Sequence, residues 1–178
     1  MKTFLLPSRA VLMLITALLP MILFCSCKDE PGMIWDFYPV TASINIKNIH
    51  GENLLLPTAN GSLYGKKITV EYDGQEYELD WEAERGSRYY LPHFTGLTLI
   101  NGGQFSADEE WVPNPYLSFG EFDGEDDQNI TFKFWIEGYD TVWTINVVHT
   151  VKWKGNKPKV TNKYFRNGKE VKSIVITL

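Results

Sequence analysis

The sequence predicts an all-β domain, an antiparallel β-sandwich of about seven to nine short strands, with a small β-barrel as the alternative. Three observations carry that expectation. Apolar and polar residues alternate with period two in run after run from residue 40 onward, the pattern of strands with one buried face. Glycine, asparagine and aspartate punctuate the runs at hairpin spacing. No stretch of that region sustains the 3.6-residue period of an amphipathic helix, and residues 80–85 offer at most one helical turn.

The chain begins with a different kind of segment. Lys2 and Arg9 precede an apolar run at 10–24 that Pro20 interrupts. A membrane-spanning helix needs about 20 apolar residues, so this run reads as the hydrophobic region of a secretory signal. It ends in Leu23-Phe24-Cys25-Ser26-Cys27, which resembles a bacterial lipobox. The small Ser26 before Cys27 suits lipoprotein signal peptidase where Phe24 before Cys25 does not. The expected organisation is therefore a signal peptide at 1–26, a lipid-anchored tether at 27–34 and a single domain at 35–178.

Cys27 would carry a thioether-linked diacylglycerol and an N-acyl chain such as palmitate. Each buried methylene contributes about 0.8 kcal/mol, so several acyl chains hold where one would exchange. Lys28-Asp29-Glu30 resembles the short export tract that sends lipoproteins of Bacteroidota to the outer face of the outer membrane, which predicts a cell-surface location. Cleavage discards Cys25 and lipidation consumes Cys27, which leaves the domain without a thiol for a disulfide, a zinc site or a nucleophile.

Within the domain the first strand reads from Val40, with Ala42, Ile44 and Ile46 on one face, and ends at His50-Gly51-Glu52-Asn53. Ile68, Val70 and Tyr72 lead into Asp73-Gly74, and Tyr77, Leu79 and Trp81 lead out. Asp-Gly between alternating runs is a type I′ hairpin signal, because both central residues need positive φ. Weaker strands are expected at 87–91, 96–100 and 116–122. A second hairpin turns at Gly138-Tyr139-Asp140, between Ile130, Phe132, Phe134 and Ile136 on one side and Trp143, Ile145, Val147, His149, Val151 and Trp153 on the other. A third turns at Asn167-Gly168 and joins 159–165 to 171–178.

Charge excludes one class of function. Without the signal segment the chain carries 15 basic against 22 acidic residues, a net −7. An electrostatic nucleic-acid binder needs a basic footprint, so no nucleic acid is expected as partner. The charge is also segregated, at −13 over residues 71–127 and +6 over 128–178. Complementary solvated faces explain this most simply, and a bipolar surface that orients a partner or a lipid headgroup layer is the sharper reading.

Catalytic and metal signals are weak. Asp123, Glu125, Asp127 and Asn129 alternate as in a calcium loop, but Gly124 is misplaced and Phe134 stands where a bidentate Glu belongs, so an acidic turn is expected. His50, His93 and His149 show no metal spacing, and His149 between Val147 and Val151 reads as a hydrogen-bonded core residue. There is no Gly-x-Ser-x-Gly elbow, and the pairs Glu121/Asp123 and Glu109/Glu110 are unremarkable in so acidic a region. No enzyme, no cofactor, no metal site and no catalytic residue is expected. The most suggestive feature is aromatic. Trp111 and Tyr116 lie in the long segment 101–116 and Trp35, Phe37 and Tyr38 near the tether, where flat rings can meet a sugar or a partner protein or fold back over an open end of the sandwich.

The order Trp35-Asp36-Phe37-Tyr38-Pro39-Val40, Gly51-x-Asn53-Leu54-Leu55, Tyr90-Leu91-Pro92-His93-Phe94-x-Gly96-Leu97 and Phe119-Gly120-Glu121-Phe122-Asp123-Gly124 resembles a group of small outer-membrane lipoproteins of gut Bacteroidota known only as a domain of unknown function. The resemblance spans most of the mature chain and implies no catalytic residue. A first strand followed by Gly-x-x-Leu and a Lys-Ile-Thr-Val strand is similar to prealbumin-like and carboxypeptidase-regulatory-like modules over about 40 residues, which suits an immunoglobulin-like or prealbumin-like sandwich. Two functions stay open. A surface lipoprotein that binds a glycan or an outer-membrane partner protein should expose aromatics away from its tether. An assembly subunit should instead leave a long sheet edge unpaired, with 171–178 the candidate.

Overall fold

In the computed structural model the described residues are 37–82, 94, 96–105 and 110–178. The signal, Cys27, Trp35, His93 and the expected strand at 87–91 lie outside them. The described strands are β1 (Val40–Lys47), β2 (Ile68–Tyr72), β3 (Gln75–Glu78), β4 (Leu97–Ile100), β5 (Gly103–Phe105), β6 (Trp111–Pro113), β7 (Tyr116–Phe122), β8 (Gln128–Ile136), β9 (Val142–Lys154), β10 (Lys157–Arg166), β11 (Lys169–Val171) and β12 (Ile174–Thr177). Among the described residues there is no helix; Asp80 accepts the Glu82 amide in an Asx turn, and the rest of the expected helical turn at 80–85 lies outside the described residues.

Two sheets make the sandwich, one ordered β12-β1-β7-β4 and the other β11-β10-β9-β8-β2-β3, and no barrel closes. The alternation dictates what lies between them. Val40, Ala42, Ile44 and Ile46 from β1, with Leu117, Phe119, Ile174 and Ile176, meet Ile68, Val70, Phe132, Phe134, Ile136 and Ile145 from the six-stranded sheet, all buried. Phe119 is the hub of the aromatic part. Its ring lies 4.7–6.1 Å from those of Phe132, Phe94, Tyr72, Tyr77 and Phe122.

The hairpins form where turn chemistry requires them. Asp73 and Asn167 take φ of 49° and 50°, each followed by a glycine of positive φ, the type I′ geometry whose twist matches its strands. The β9–β10 hairpin turns on Gly155-Asn156 and has the longest register in the molecule.

The C-terminal segment departs from expectation. Residues 171–178 form not one strand but two, in different sheets. β11 pairs with β10, the chain bends at Lys172-Ser173, and β12 joins the opposite sheet beside β1. The β1–β12 pair is parallel, because the segment arrives by crossing between sheets and not through a tight turn, which would enforce antiparallel pairing. Its outer edge is four residues long, and the Arg166 guanidinium donates to the Val175 carbonyl there. That edge is short and partly capped, poor material for strand addition.

Candidate functional site

β1 runs from Val40, paired with Phe122, to Lys47, paired with Thr177 and Asn53, a span of about 25 Å at roughly 3.3 Å per residue. Phe37 and Tyr38 lie at its start. A concavity lies at the other end, where the loop after β1 meets the segment before β7.

Asn53 builds that junction. Its buried amide donates to Asn114 Oδ1 at 2.9 Å and to the Pro115 carbonyl at 2.7 Å, while its carbonyl oxygen accepts the Leu55 amide at 3.0 Å. Each bond satisfies a group that the loops cannot pair by themselves. Asn53→Ala should therefore cost about 1–3 kcal/mol, since it strands a buried carbonyl and amide. Denaturant titration reads this as a lower midpoint, and an unchanged midpoint would show that the junction is not held by this side chain.

Between the joined loops is a cleft of about 190 Å³ lined by Leu55, Leu56, Pro57, Tyr64, Leu99, Asn101, Trp111, Pro113 and Pro115. Typical small-molecule sites begin at about 300 Å³, so this one has room for a single ring or side chain. Its wall is mainly apolar, with the Asn101 amide, the Tyr64 hydroxyl and the Trp111 indole as the polar groups of the lining side chains. The rim is unusually apolar for a surface: Phe105 is 70% exposed, Trp111 51% and Tyr64 53%, where such rings normally find cover. Phe105 and Trp111 brace each other edge to face at 5.3 Å across the β5–β6 ladder, which forms within the long segment 101–116. Tyr64 leans on Trp81 at 5.2 Å, and the Trp81 indole donates to the Lys66 carbonyl at 2.8 Å.

Gly103 makes the arrangement possible. A Cβ there would penetrate the Trp111 ring and approach Val112 O to 2.7 Å. Tyr116 is half-buried and packs against Gly102, so it supports the cleft and Trp111 forms its wall. Phe37 and Tyr38 belong to the far end of β1 and do not join them. Leu55, Leu56 and Tyr64 escaped the sequence reading because only the long-range Asn53 bonds bring their loop to Trp111.

The remaining candidates are occupied structurally. His149 is buried, with Nε2 donating to Gly124 O at 3.0 Å and Nδ1 2.6 Å from Asn162 Oδ1, so neither ring nitrogen is free to hold a metal. Asp123 accepts the Glu125 amide at 2.9 Å and Asp127 the Val151 amide at 2.7 Å, which makes 123–127 an acidic turn. Glu121, on β7, is buried. Among the described residues no three His, Cys, Asp or Glu side chains gather as a metal set, and no helix is long and apolar enough to cross a membrane. Glu78 holds the Lys67 ammonium above the usual lysine range through a hydrogen bond and charge attraction at 3.0 Å. Both groups are exposed and neither lines the cleft. Comparison with known protein families, with curated proteins and with solved structures finds no match for this chain.

Proposed function

We propose that this protein is a surface-anchored bacterial lipoprotein, tethered to the outer membrane through Cys27 and facing the cell exterior, that acts as a non-catalytic binding or accessory module. The observation that supports this most is the exposed aromatic rim of Phe105, Trp111 and Tyr64 around a mainly apolar cleft, at the end of β1 remote from Phe37. Exposed Trp and Tyr around a desolvated pocket is the composition of binding hot spots. The chemistry favours a partner protein over a glycan. A sugar needs several polar groups to replace its hydration, whereas this wall is mainly apolar and the cleft is small enough to suit one inserted side chain.

Chemical cross-linking on intact cells tests the reading. The wild type should join an outer-membrane protein, and Trp111→Ala should weaken that contact about 30-fold or more, the range of a central hot spot. Retention on a glycan panel that depends on Trp111 would transfer the cleft to sugars, and a cross-link indifferent to Trp111 and Tyr64 would remove the cleft from the function. Cys27→Ala should release the protein from the anchored pool; a variant processed and held like the wild type would refute the anchor.

A further inference from the structure

The β9–β10 ribbon outruns the sandwich. β8 begins at Gln128, opposite His149, so beyond Thr150 the ribbon has only its own two strands. Lys152 stands directly across from Lys159 and Lys154 from Lys157. With period-two alternation all four share one face, while Val151, Trp153, Pro158 and Val160 share the other. All four lysines are exposed, and none makes an ion pair among the described residues, where Lys67, Lys133 and Lys163 each have a glutamate.

Like charges directly opposite on a ladder are destabilising. Lysines do blunt an open strand edge, but they do so from either face, and edge protection does not require four of them in opposition. The acidic turn at 123–127 offers no compensation. It touches the ribbon through His149 and the Val151 amide, nearer the sandwich than the lysines, and the His149 side chain that contacts it lies on the other face. Among the described residues no counter-charge faces these lysines.

The same end of the domain carries the start of the described chain. Phe37 packs edge to face on Trp153 at 6.0 Å, and next to it Tyr38 is 86% exposed, with Trp153 itself 54% exposed. Tryptophan and tyrosine are the residues enriched where hydrocarbon meets headgroup. Cys27 lies ten residues before Phe37, so it can be no more than about 35 Å from it along an extended chain. Four lysines without an ion pair among the described residues and two exposed amphipathic rings thus stand at the end of the domain where the described chain begins.

We infer that the tip of the β9–β10 ribbon is a membrane-surface contact: Lys152, Lys154, Lys157 and Lys159 pair with phosphate-bearing lipid headgroups while Trp153 and Tyr38 settle at the interface. This rests on the reading that Cys27 is lipidated. The contact would fix the orientation of the anchored domain, with the aromatic cleft at its opposite end. Each lysine at an anionic surface is worth about a fivefold gain in surface partitioning, so the four together give roughly a hundredfold or more, removable by salt.

The test uses the mature lipidated protein on vesicles of phosphatidylcholine alone or mixed with phosphatidylglycerol. Flotation with the neutral vesicles reports the anchor, and hydrogen exchange across 150–160 reports the ribbon. The expected result is exchange slowed about tenfold or more on the anionic vesicles only. High salt should reverse it, and K152Q/K154Q/K157Q/K159Q should abolish it while exchange in β8 confirms an intact fold. Flotation with equal ribbon exchange on both vesicles would overturn the contact and leave the anchor standing, as would slowing that survives the four substitutions. Failure to float with neutral vesicles would remove the anchor, and the salt-sensitive slowing on anionic vesicles would still decide the ribbon.

Discussion

Phe119→Ala is expected to lower the unfolding free energy by about 3–5 kcal/mol, the largest stability effect of any single truncation in this domain. Phe119 is fully buried in β7 and its ring touches rings from both sheets, Phe132 at 4.7 Å and Tyr72 at 5.8 Å among them. Truncation removes its transfer free energy and leaves a cavity that five closely packed aromatic neighbours cannot collapse to fill. In urea the midpoint should fall with little change in slope. Phe119→Leu should recover part of the loss by refilling volume. A loss below about 1 kcal/mol would mean that the two sheets are not held together at this ring.

Gly103→Val is expected to do the opposite, removing binding and leaving the fold. Its side chain claims the space of the Trp111 ring, so the indole must swing off the cleft wall. Contact with the partner should weaken about 30-fold or more, as for losing the hot spot itself. The β5–β6 ladder pairs only with itself and contributes nothing to the buried core between the main sheets, so the melting temperature should hardly move. Partner binding that persisted in Gly103→Val would show that Trp111 does not need its observed position, whereas a large loss of stability would mean that the small sheet supports the core after all.

Local signals were legible in the sequence and crossings were not. The strands β1, β8 and β9 announce themselves by alternation, and Asp73-Gly74 and Asn167-Gly168 by a backbone need that few residues satisfy. The break at Lys172-Ser173 was written more faintly, in a change of parity: Val171 faces one way along the strand and Ile174, Ile176 and Leu178 the other, which a continuous strand cannot reconcile with one buried face. Gly155-Asn156 is likewise a hairpin signal that the Lys-rich surroundings obscured. Of the cleft, Trp111 and Tyr116 stood out as aromatic residues in a long segment, but Leu55, Leu56 and Tyr64 reach them through the Asn53 bonds over some 60 residues of sequence, a contact with no local trace. The basic excess of the C-terminal section, visible as a sum, acquires a place: much of it stands on one face of the β9–β10 ribbon.

The proposed orientation turns the lysines of the β9–β10 ribbon toward the membrane and the aromatic cleft away from it. The domain after Cys27 contains no cysteine, so a single one can be introduced at an exposed position as an unambiguous probe. Intact cells carrying Val112→Cys or Asn156→Cys are treated with a membrane-impermeant maleimide, before and after detergent. Rapid labelling at position 112 on intact cells, with position 156 shielded until detergent is added, is the predicted result. Position 156 labelled freely while 112 is shielded would contradict it.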